Sequence, residues 1–241
     1  MNASSLQALA FTFRGETLDA LPSGALHWPA ESLLVVSDLH LGKSERAARR
    51  GGPMLPPYEG IDTLTRLASD IAATGARTVV CLGDSFDDAA AADALDDATA
   101  AHLAPLMAGR RWIWIEGNHD PGPIGLGGTH LAILRHGPLS FRHIADTGAQ
   151  GELSGHYHPK ARLAGRGRGI VRRCFLVDRA RIVMPAYGTY TGGLHCDAPE
   201  LQALMLDDAR AILLGQPPVA VPMPRRRQEV PPRARRADRT G

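Results

Sequence analysis

The chain has 241 residues, of which 44% are hydrophobic, and its 27 basic and 25 acidic residues give a formal charge of +2. This composition is typical of a globular protein with a sizeable core and argues against a fibrous or compositionally disordered chain. No apolar run reaches the length of about 18 residues that a membrane-spanning helix requires, so no membrane association is expected.

The cysteines and the N-terminal residues favour a cytoplasmic location. Met1–Phe13 contains no basic stretch followed by an apolar segment and a cleavage site, so no signal peptide is expected. The three cysteines, Cys81, Cys174 and Cys196, are scattered along the chain and lack metal-site spacing. Reduced thiols are the simplest interpretation.

The first half of the chain alternates between strand and helix signals. Apolar runs rich in β-branched residues predict buried strands, and apolar residues at helical spacing between Ile61 and Ala72 precede Gly75, a typical helix stop. The predicted elements are a strand or hairpin within residues 6–30, strands at 33–37, 78–82 and 111–116, a loop at 41–57, and helices at 61–72 and 87–108.

The second half is dominated by short apolar segments separated by turns. Predicted strands lie at 131–134, 139–144, 151–154, 170–177, 181–185, 201–206 and 209–214. An α/β first half followed by a β-rich second half predicts an α/β fold with two packed mixed β-sheets flanked by helices. We expect one domain over residues 1–216.

A basic tail is predicted to follow this domain. Residues 217–241 lack a periodic apolar pattern, and we expect them to be disordered. Within residues 221–241, seven arginines against two acidic residues give a charge of +5, while the 20 basic and 23 acidic residues elsewhere give −3. Such a tail could contact nucleic acid, or it could be a solvated end without a partner.

Five short motifs contain residue types that bind metal ions, and four of them follow predicted strands. They are Asp38-Leu39-His40, Gly83-Asp84-Ser85-Phe86-Asp87, Gly117-Asn118-His119-Asp120, the single His136, and Gly155-His156-Tyr157-His158. Ligands at the ends of several strands converge at one edge of an α/β sheet. The set therefore predicts a two-metal site, and two-metal sites of this kind mostly cleave phosphate esters.

The predicted ligands combine nitrogen and oxygen donors. They are Asp38, His40, Asp84, Asn118, His136, His156 and His158. Imidazoles mixed with carboxylates and an amide favour Mn²⁺, Fe or Zn²⁺ over Mg²⁺ or Ca²⁺. Two divalent ions would leave a net positive charge that attracts a phosphoester and lowers the pKa of a water molecule. We therefore expect two divalent cations, with Mn²⁺ favoured.

Three further residues of the motifs suggest supporting roles. His119 adjoins the ligand Asn118, and a cation there could stabilise developing charge and protonate the leaving oxygen. Asp120 could hold the His119 imidazolium. Asp87 is predicted to orient a ligating histidine rather than to bind a metal.

The motif series resembles that of the calcineurin-like metallophosphoesterases, over residues 31–190. The resemblance implies a four-layer αββα sandwich with one metal held by Asp38, His40, Asp84 and His158. The second metal would be held by Asp84, Asn118, His136 and His156, and His119 would be the catalytic histidine.

Additional segments resemble the bacterial PdeM group, the ligase-associated DNA damage response endonucleases. They are Ser37–Lys43, Arg50–Pro56, Ser154–Pro159 and Pro185–Gly193. This resemblance implies a DNA endonuclease linked to repair, with a repair helicase and an ATP-dependent DNA ligase as possible partners.

The charge pattern gives modest support to a DNA substrate. Eight basic residues against Asp178 lie between Lys160 and Arg181, and those expected to contact DNA are Arg162, Arg166, Arg168, Arg172 and Arg173. The same pattern would arise from strand residues that simply face solvent. A small-molecule phosphodiesterase acting on cyclic or other nucleotides, a lipid-linked nucleotide hydrolase and a non-catalytic scaffold remain alternatives, although no lipid-binding segment or missing ligand favours the last two.

Overall fold

The computed structural model describes residues 7–49, 51, 58–88, 95–122, 125–163 and 169–225. The strands are β1 Leu9–Phe13, β2 Glu16–Ala20, β3 Leu26–Trp28, β4 Leu33–Val36, β5 Thr78–Leu82, β6 Arg111–Ile115, β7 Thr129–Leu131, β8 Leu134–His136, β9 Leu139–Phe141, β10 Glu152–Ser154, β11 Lys160–Leu163, β12 Ile170–Val177, β13 Arg181–Val183, β14 Arg210–Leu213 and β15 Val219–Pro222. The helices are α1 Lys43–Arg49, α2 Glu59–Thr74, α3 Asp97–Met107 and α4 Pro199–Leu204.

The strands form two mixed sheets. The first has the order β1-β2-β3-β4-β5-β6-β7, antiparallel from β1 to β4 and parallel from β4 to β7. The second has the order β15-β14-β12-β13-β10-β9-β8, with β11 paired to β12. Within it, β10 is parallel to both β9 and β13. The predicted two-sheet α/β fold is therefore confirmed.

Both faces of the first sheet are buried, which explains its continuous apolar strands. Val35 and its neighbours face the second sheet, where Phe141 and Phe175 belong to the same core cluster. The alternate residue Leu34 packs instead with Leu64 of α2. Helix α4 covers the outer face of the second sheet, so helices and sheets lie in four layers.

Helix α2 ends as its sequence predicts. Gly75 adopts φ +65°, and its N–H donates to the Ile71 carbonyl at 2.9 Å. A left-handed residue that satisfies a terminal carbonyl is the usual role of glycine after a helix.

Several predicted elements differ from the structure. Residues 201–206 are not a strand, because Pro199 begins helix α4 and its buried residues Leu201 and Leu204 are three apart, a helical spacing. The predicted loop 41–57 contains α1. Helix α3 begins at Asp97, where Asp96 caps it by accepting from the Thr99 N–H at 2.9 Å.

The predicted domain boundary at residue 216 lies between the last two strands of the second sheet, β14 and β15. Strand β15 pairs with β14, and Arg225 donates to the Met205 carbonyl at 3.2 Å. The second sheet therefore continues beyond residue 216, while residues 226–241, with most of the basic tail, lie outside the described residues. Among the described residues, no helix is long and apolar enough to cross a membrane.

Candidate metal centre

Loops that follow parallel strands of both sheets bring the ligating side chains together. Asp38, Asp84 and His156 each lie two residues after the last residue of β4, β5 and β10, respectively. Asn118 follows β6, and His143 lies two residues after β9. Since parallel strands present their carboxyl ends at one edge, these loops meet at a single point between the sheets.

Five residues of the ligating motifs have a left-handed backbone conformation. The φ values are +54° at Asp38, +48° at His40, +45° at Asp84, +68° at His156 and +48° at His158. Non-glycine residues with such φ values cost of order 1–3 kcal/mol each and cluster at functional sites. The side chains converge because of these strained loops, and not because of strand alternation as the Asp-x-His spacing suggested.

The first group of ligands comprises Asp38, His40 and His158, whose potential ligand atoms lie within 4.8 Å of one another. Asp38 Oδ1 is 3.0 Å from His158 Nε2, and Asp38 Oδ2 accepts from the His156 N–H at 3.0 Å. Although burial opposes it, hydrogen bonding to His158 lowers the pKa of Asp38. This carboxylate is therefore charged at neutral pH.

His40 is oriented by a carboxylate behind it. Its Nδ1 is 2.9 Å from Asp87 Oδ1, and the other oxygen of Asp87 accepts from Arg46 at 2.8 Å. With Nδ1–H donated to Asp87, His40 Nε2 presents a lone pair to the site, yet this buried atom has no hydrogen-bond partner. A buried, unpartnered nitrogen beside Asp38 and His158 fits a bound cation.

The second group comprises Asp84, His143 and His156. His143 Nε2 lies 3.3 Å from Asp84 Oδ2, 2.9 Å from Asn118 Oδ1 and 3.3 Å from His156 Nδ1. Its Nδ1 is 2.9 Å from the Leu82 carbonyl, which fixes Nδ1 as the protonated nitrogen. Its Nε2 therefore faces the other potential ligand atoms.

The charge of this second group is itself suited to a cation. Burial lowers the pKa of His143, but hydrogen bonding to Asp84 and the charges of Asp38 and Asp84 outweigh burial and raise it to about 9. The same pairing lowers the pKa of Asp84 to about 2, against the opposing effect of burial. Positive charge is strongly favoured at this point, as expected of a metal-binding position.

His136 is not part of either group. It is the last residue of β8, which runs antiparallel to β9, so it lies at the opposite end of that strand pair from His143. Its Nε2 is 2.8 Å from Glu31 Oε2, and both side chains are partly exposed. The structure brings His143, to which the sequence analysis assigned no role, together with Asp84 and His156, and it does not bring His136 to them. The signal for His143 was its position two residues after a parallel strand.

His119 borders the second group and is accessible. Its Nδ1 is 2.8 Å from the Asp87 carbonyl oxygen, and its Nε2 is 3.9 Å from Asp84 Oδ2. The Nδ1 contact requires a proton on that nitrogen, so Nε2 faces the site. With 30% of its side chain exposed, His119 is accessible to solvent beside the second group.

Asp120 does not hold the His119 imidazole. Its carboxylate accepts from the backbone N–H groups of Asp84, Ser85 and Phe86 at 2.9, 2.8 and 3.2 Å, and from that of Gly117 at 3.1 Å. Burial raises the pKa of Asp120 to about 6, and the charge of Asp84 adds to this effect. Asp120 therefore positions the loop that carries Asp84.

The predicted DNA-binding arginines are placed only in part. Arg162 and Arg172 are exposed on β11 and β12, whereas Arg173 is half-buried and donates to the Ala186 carbonyl at 2.9 Å. Arg166 and Arg168 lie outside the described residues.

A family model for calcineurin-like phosphoesterases matches residues 32–202, the region that contains every ligand described above. The chain belongs to this family. It is accordingly a metal-dependent phosphoesterase, and the fit of the two ligand groups to cations agrees with that activity. The match spans more than half of the chain and includes strands of both sheets, from β4 to β13.

A solved structure shares most of this fold. The crystal structure of the Pseudomonas putida nuclease MPE has a TM-score of 0.69 and 27% sequence identity, covering 88% of this chain and 100% of that chain. No match was found among the curated proteins.

Proposed function

We propose that this phosphoesterase is a two-metal nuclease that hydrolyses phosphodiester bonds of DNA. The proposal rests on the two adjacent ligand groups. In the first, the buried His40 Nε2 has no hydrogen-bond partner, and in the second, Asp84 lies between His119 and His143. The likeness to a nuclease along that protein's whole length supports nucleic acid as the substrate. The mixed nitrogen and oxygen donors favour Mn²⁺, with Fe or Zn²⁺ as alternatives.

The first metal would be held by Asp38, His40, His158 and Asp84. The second would be held by Asp84, Asn118, His143 and His156. When bound, the two cations would polarise the phosphate and supply a water nucleophile at neutral pH. Asp87 orients His40, and the Leu82 carbonyl orients His143, so that their Nε2 atoms would be the metal ligands.

His119 is proposed to donate a proton to the leaving oxygen. Its Nδ1–H is held by the Asp87 carbonyl, which leaves Nε2 to carry the transferable proton on the side of the substrate. Proton transfer by one positioned group contributes roughly 10²–10⁴-fold to the rate. Asp120 supports this chemistry indirectly, through the loop that positions Asp84.

The test is the activity of Mn²⁺-loaded wild type and His119→Ala on an oligonucleotide and on bis(p-nitrophenyl) phosphate. Loss of His119 should lower cleavage of the oligonucleotide by roughly 10²–10⁴-fold. The loss should be much smaller for the nitrophenyl ester, because its leaving group needs no proton. His102→Ala, an exposed histidine on α3, provides the matched control. Failure of wild type to cleave the oligonucleotide would contradict the nuclease proposal, and equal losses on both substrates would contradict the acid role.

A small nucleotide remains a second candidate substrate because of a cavity beside the second group. The cavity has a volume of about 350 Å³, and Asn118 and His143 contribute to its lining, as do the exposed Ile133 and Ile144. The apolar part of this cavity, beside the charged lining residues Glu116 and Arg142, could take one nucleobase. A kcat/KM for cyclic nucleotides that exceeds the kcat/KM for the oligonucleotide in the same assay would favour this alternative.

The link to DNA repair, with a helicase and an ATP-dependent DNA ligase as partners, is proposed from the sequence resemblance. It is tested by co-purification of the full chain with those two enzymes from their native host. Their absence from the purified material would leave the nuclease proposal intact and contradict the partnership.

A further inference from the structure

A basic cavity lies beside the metal centre, under the segment Gly188–Thr191. It has a volume of about 270 Å³, and its charged lining residues are Asp62 and Arg66 of α2, Lys160 of β11 and Arg173 of β12. A larger cavity of about 940 Å³ shares Arg66 and Arg173 and extends past Arg172. The two cavities adjoin at these shared arginines.

The wall of this cavity is bonded directly to the loops that carry the ligands. The N–H groups of Tyr187 and Gly188 donate to the carbonyls of Ser37 and Asp38 at 2.7 and 3.0 Å. A side chain at Gly188 would overlap the Leu39 carbonyl, so the two segments are in close contact. On the other side, Lys160 is two residues from the ligand His158. A ligand in the cavity would therefore lie next to the first metal group.

Two arginines are held in place in the cavity by backbone carbonyls. Arg66 donates to the Tyr187 carbonyl at 2.6 Å and stacks over the Tyr187 ring at 4.8 Å, while Arg173 donates to the Ala186 carbonyl. Arg66 Nε is buried without a hydrogen-bond partner. Burial, and then the charge of Arg66, lower the pKa of Arg173. Two neighbouring guanidinium groups that repel one another would be stabilised by an anion between them.

The lining of the cavity carries a net positive charge. Three cations, Arg66, Arg173 and Lys160, face one lining carboxylate, that of Asp62. This carboxylate is already occupied, because Arg66 and Thr189 donate to it at 3.2 and 2.6 Å. Within the described residues, no hydrogen bond or ion pair engages the Lys160 ammonium, so it is available to a ligand.

We propose that this cavity binds a second, non-scissile phosphate of the substrate, adjacent along the strand to the phosphate at the metals. Arginines in a fixed geometry with a nearby lysine are the usual donors to phosphate oxygens. The inference rests on the proposed nuclease function, and it assigns Lys160, Arg66 and Arg173 to substrate positioning. It predicts that a substrate with two phosphates is preferred over one with a single phosphate.

The test compares the binding of three trinucleotides. One is dT3, which has two phosphodiesters, and in each of the other two a different linkage is replaced by a neutral methylphosphonate. Anisotropy is measured with the Mn²⁺-loaded His119→Ala protein, so that cleavage does not interfere. The all-phosphate trinucleotide should bind about tenfold tighter than either neutralised version, the scale of one charge-assisted contact. Adding Lys160→Ala should reduce that ratio to about threefold or less, whereas Lys160→Arg should retain most of it.

Arg179→Ala is the matched control, because it also removes one positive charge from a partly basic surface. Arg179 forms an exposed ion pair with Asp208 and does not line the cavity. It should preserve the full ratio. The same ratio in Lys160→Ala and Arg179→Ala would overturn the inference, as would equal binding of the charged and neutral trinucleotides by the parent protein. These outcomes concern the second phosphate only, whereas the nuclease proposal fails separately if wild type does not cleave the oligonucleotide.

Discussion

At the scale of single residues, the most informative comparison is between two histidines. His143 faces Asp84, Asn118 and His156, whereas His136 pairs with Glu31 outside the ligand groups. We expect His143→Ala to lower Mn²⁺ affinity and phosphodiesterase kcat/KM by at least about 100-fold, since even residues behind the ligands contribute 10–100-fold. His136→Ala should remain within about twofold of wild type in calorimetric titration and in turnover. The reverse order of effects would restore His136 as the ligand.

A second prediction concerns Asp120. Its buried carboxylate accepts four backbone N–H groups, and an amide in its place can accept only through one oxygen. Leaving buried donors unpaired costs about 1–3 kcal/mol each, so Asp120→Asn should lower the free energy of unfolding by at least about 2 kcal/mol. Urea denaturation of the metal-free protein measures this loss, with the exposed Asp207→Asn as control.

Substrate dependence separates this positioning role from the role that the sequence suggested. If Asp120 acts only through the Asp84 loop, Asp120→Asn should lower turnover of the oligonucleotide and of the nitrophenyl ester by similar factors. A loss confined to the oligonucleotide would show that Asp120 supports proton donation by His119.

His143 and His136 show what sequence spacing can and cannot predict. The Asp-x-His and His-x-His motifs identified side chains that do converge, because each lies just after a strand whose apolar run is readable. His143 lies inside the strand predicted at 139–144, whereas β9 ends at Phe141, so its position after a strand was not recognised from the sequence. The direction of β8 relative to β9, which separates His136 from the centre, depends on tertiary pairing and is not encoded in spacing.

At the scale of elements, the segment Tyr187–Thr191 is held against the loop that carries Asp38. A Cβ at Gly188 would overlap the Leu39 carbonyl, whereas a Cβ at Gly192 would meet nothing within 4 Å. Gly188→Ala should therefore displace the Asp38 loop and lower both Mn²⁺ affinity and kcat/KM by roughly tenfold or more, an effect comparable to loss of an orienting contact. Gly192→Ala is the matched control and should behave as wild type. Equal behaviour of the two variants would show that this contact does not position the site.

Element prediction succeeded where burial on both faces makes a strand apolar throughout, as in β4, β5 and β6. It failed for residues 201–206, because the spacing of Leu201, Leu204 and Leu206 is compatible with either a strand or a helix. Pro199 and packing against the second sheet decide in favour of the helix. It also missed the strand β15, because Pro222 and Pro224 made the segment resemble a linker. An edge strand tolerates such a proline, as β15 does.

At the scale of the whole molecule, the metal centre joins the two sheets. Asp38, Asp84 and Asn118 follow strands of the first sheet, whereas His143 and His156 follow strands of the second. A cation bound by both sets binds the folded state and not the unfolded chain, so it should stabilise the fold by about 2.7 kcal/mol at 100 times its Kd. For a protein of this size, that corresponds to a rise in Tm of roughly 5–10 °C.

Thermal denaturation with Mn²⁺ and with EDTA tests this coupling. The Mn²⁺-dependent rise in Tm should be largely lost in His143→Ala and preserved in His136→Ala. A rise of equal size in all three proteins would mean that the metal binds elsewhere, for instance to exposed carboxylates.

The most direct test of the central claim is anomalous scattering from crystals of the Mn²⁺-loaded protein, measured at the manganese absorption edge. We predict two neighbouring peaks, about 3.5–4 Å apart as in other two-metal sites. One should contact Asp38, His40 and His158, the other Asn118, His143 and His156, and both should contact Asp84. A single peak, or a peak that contacts His136 and not His143, would contradict the account.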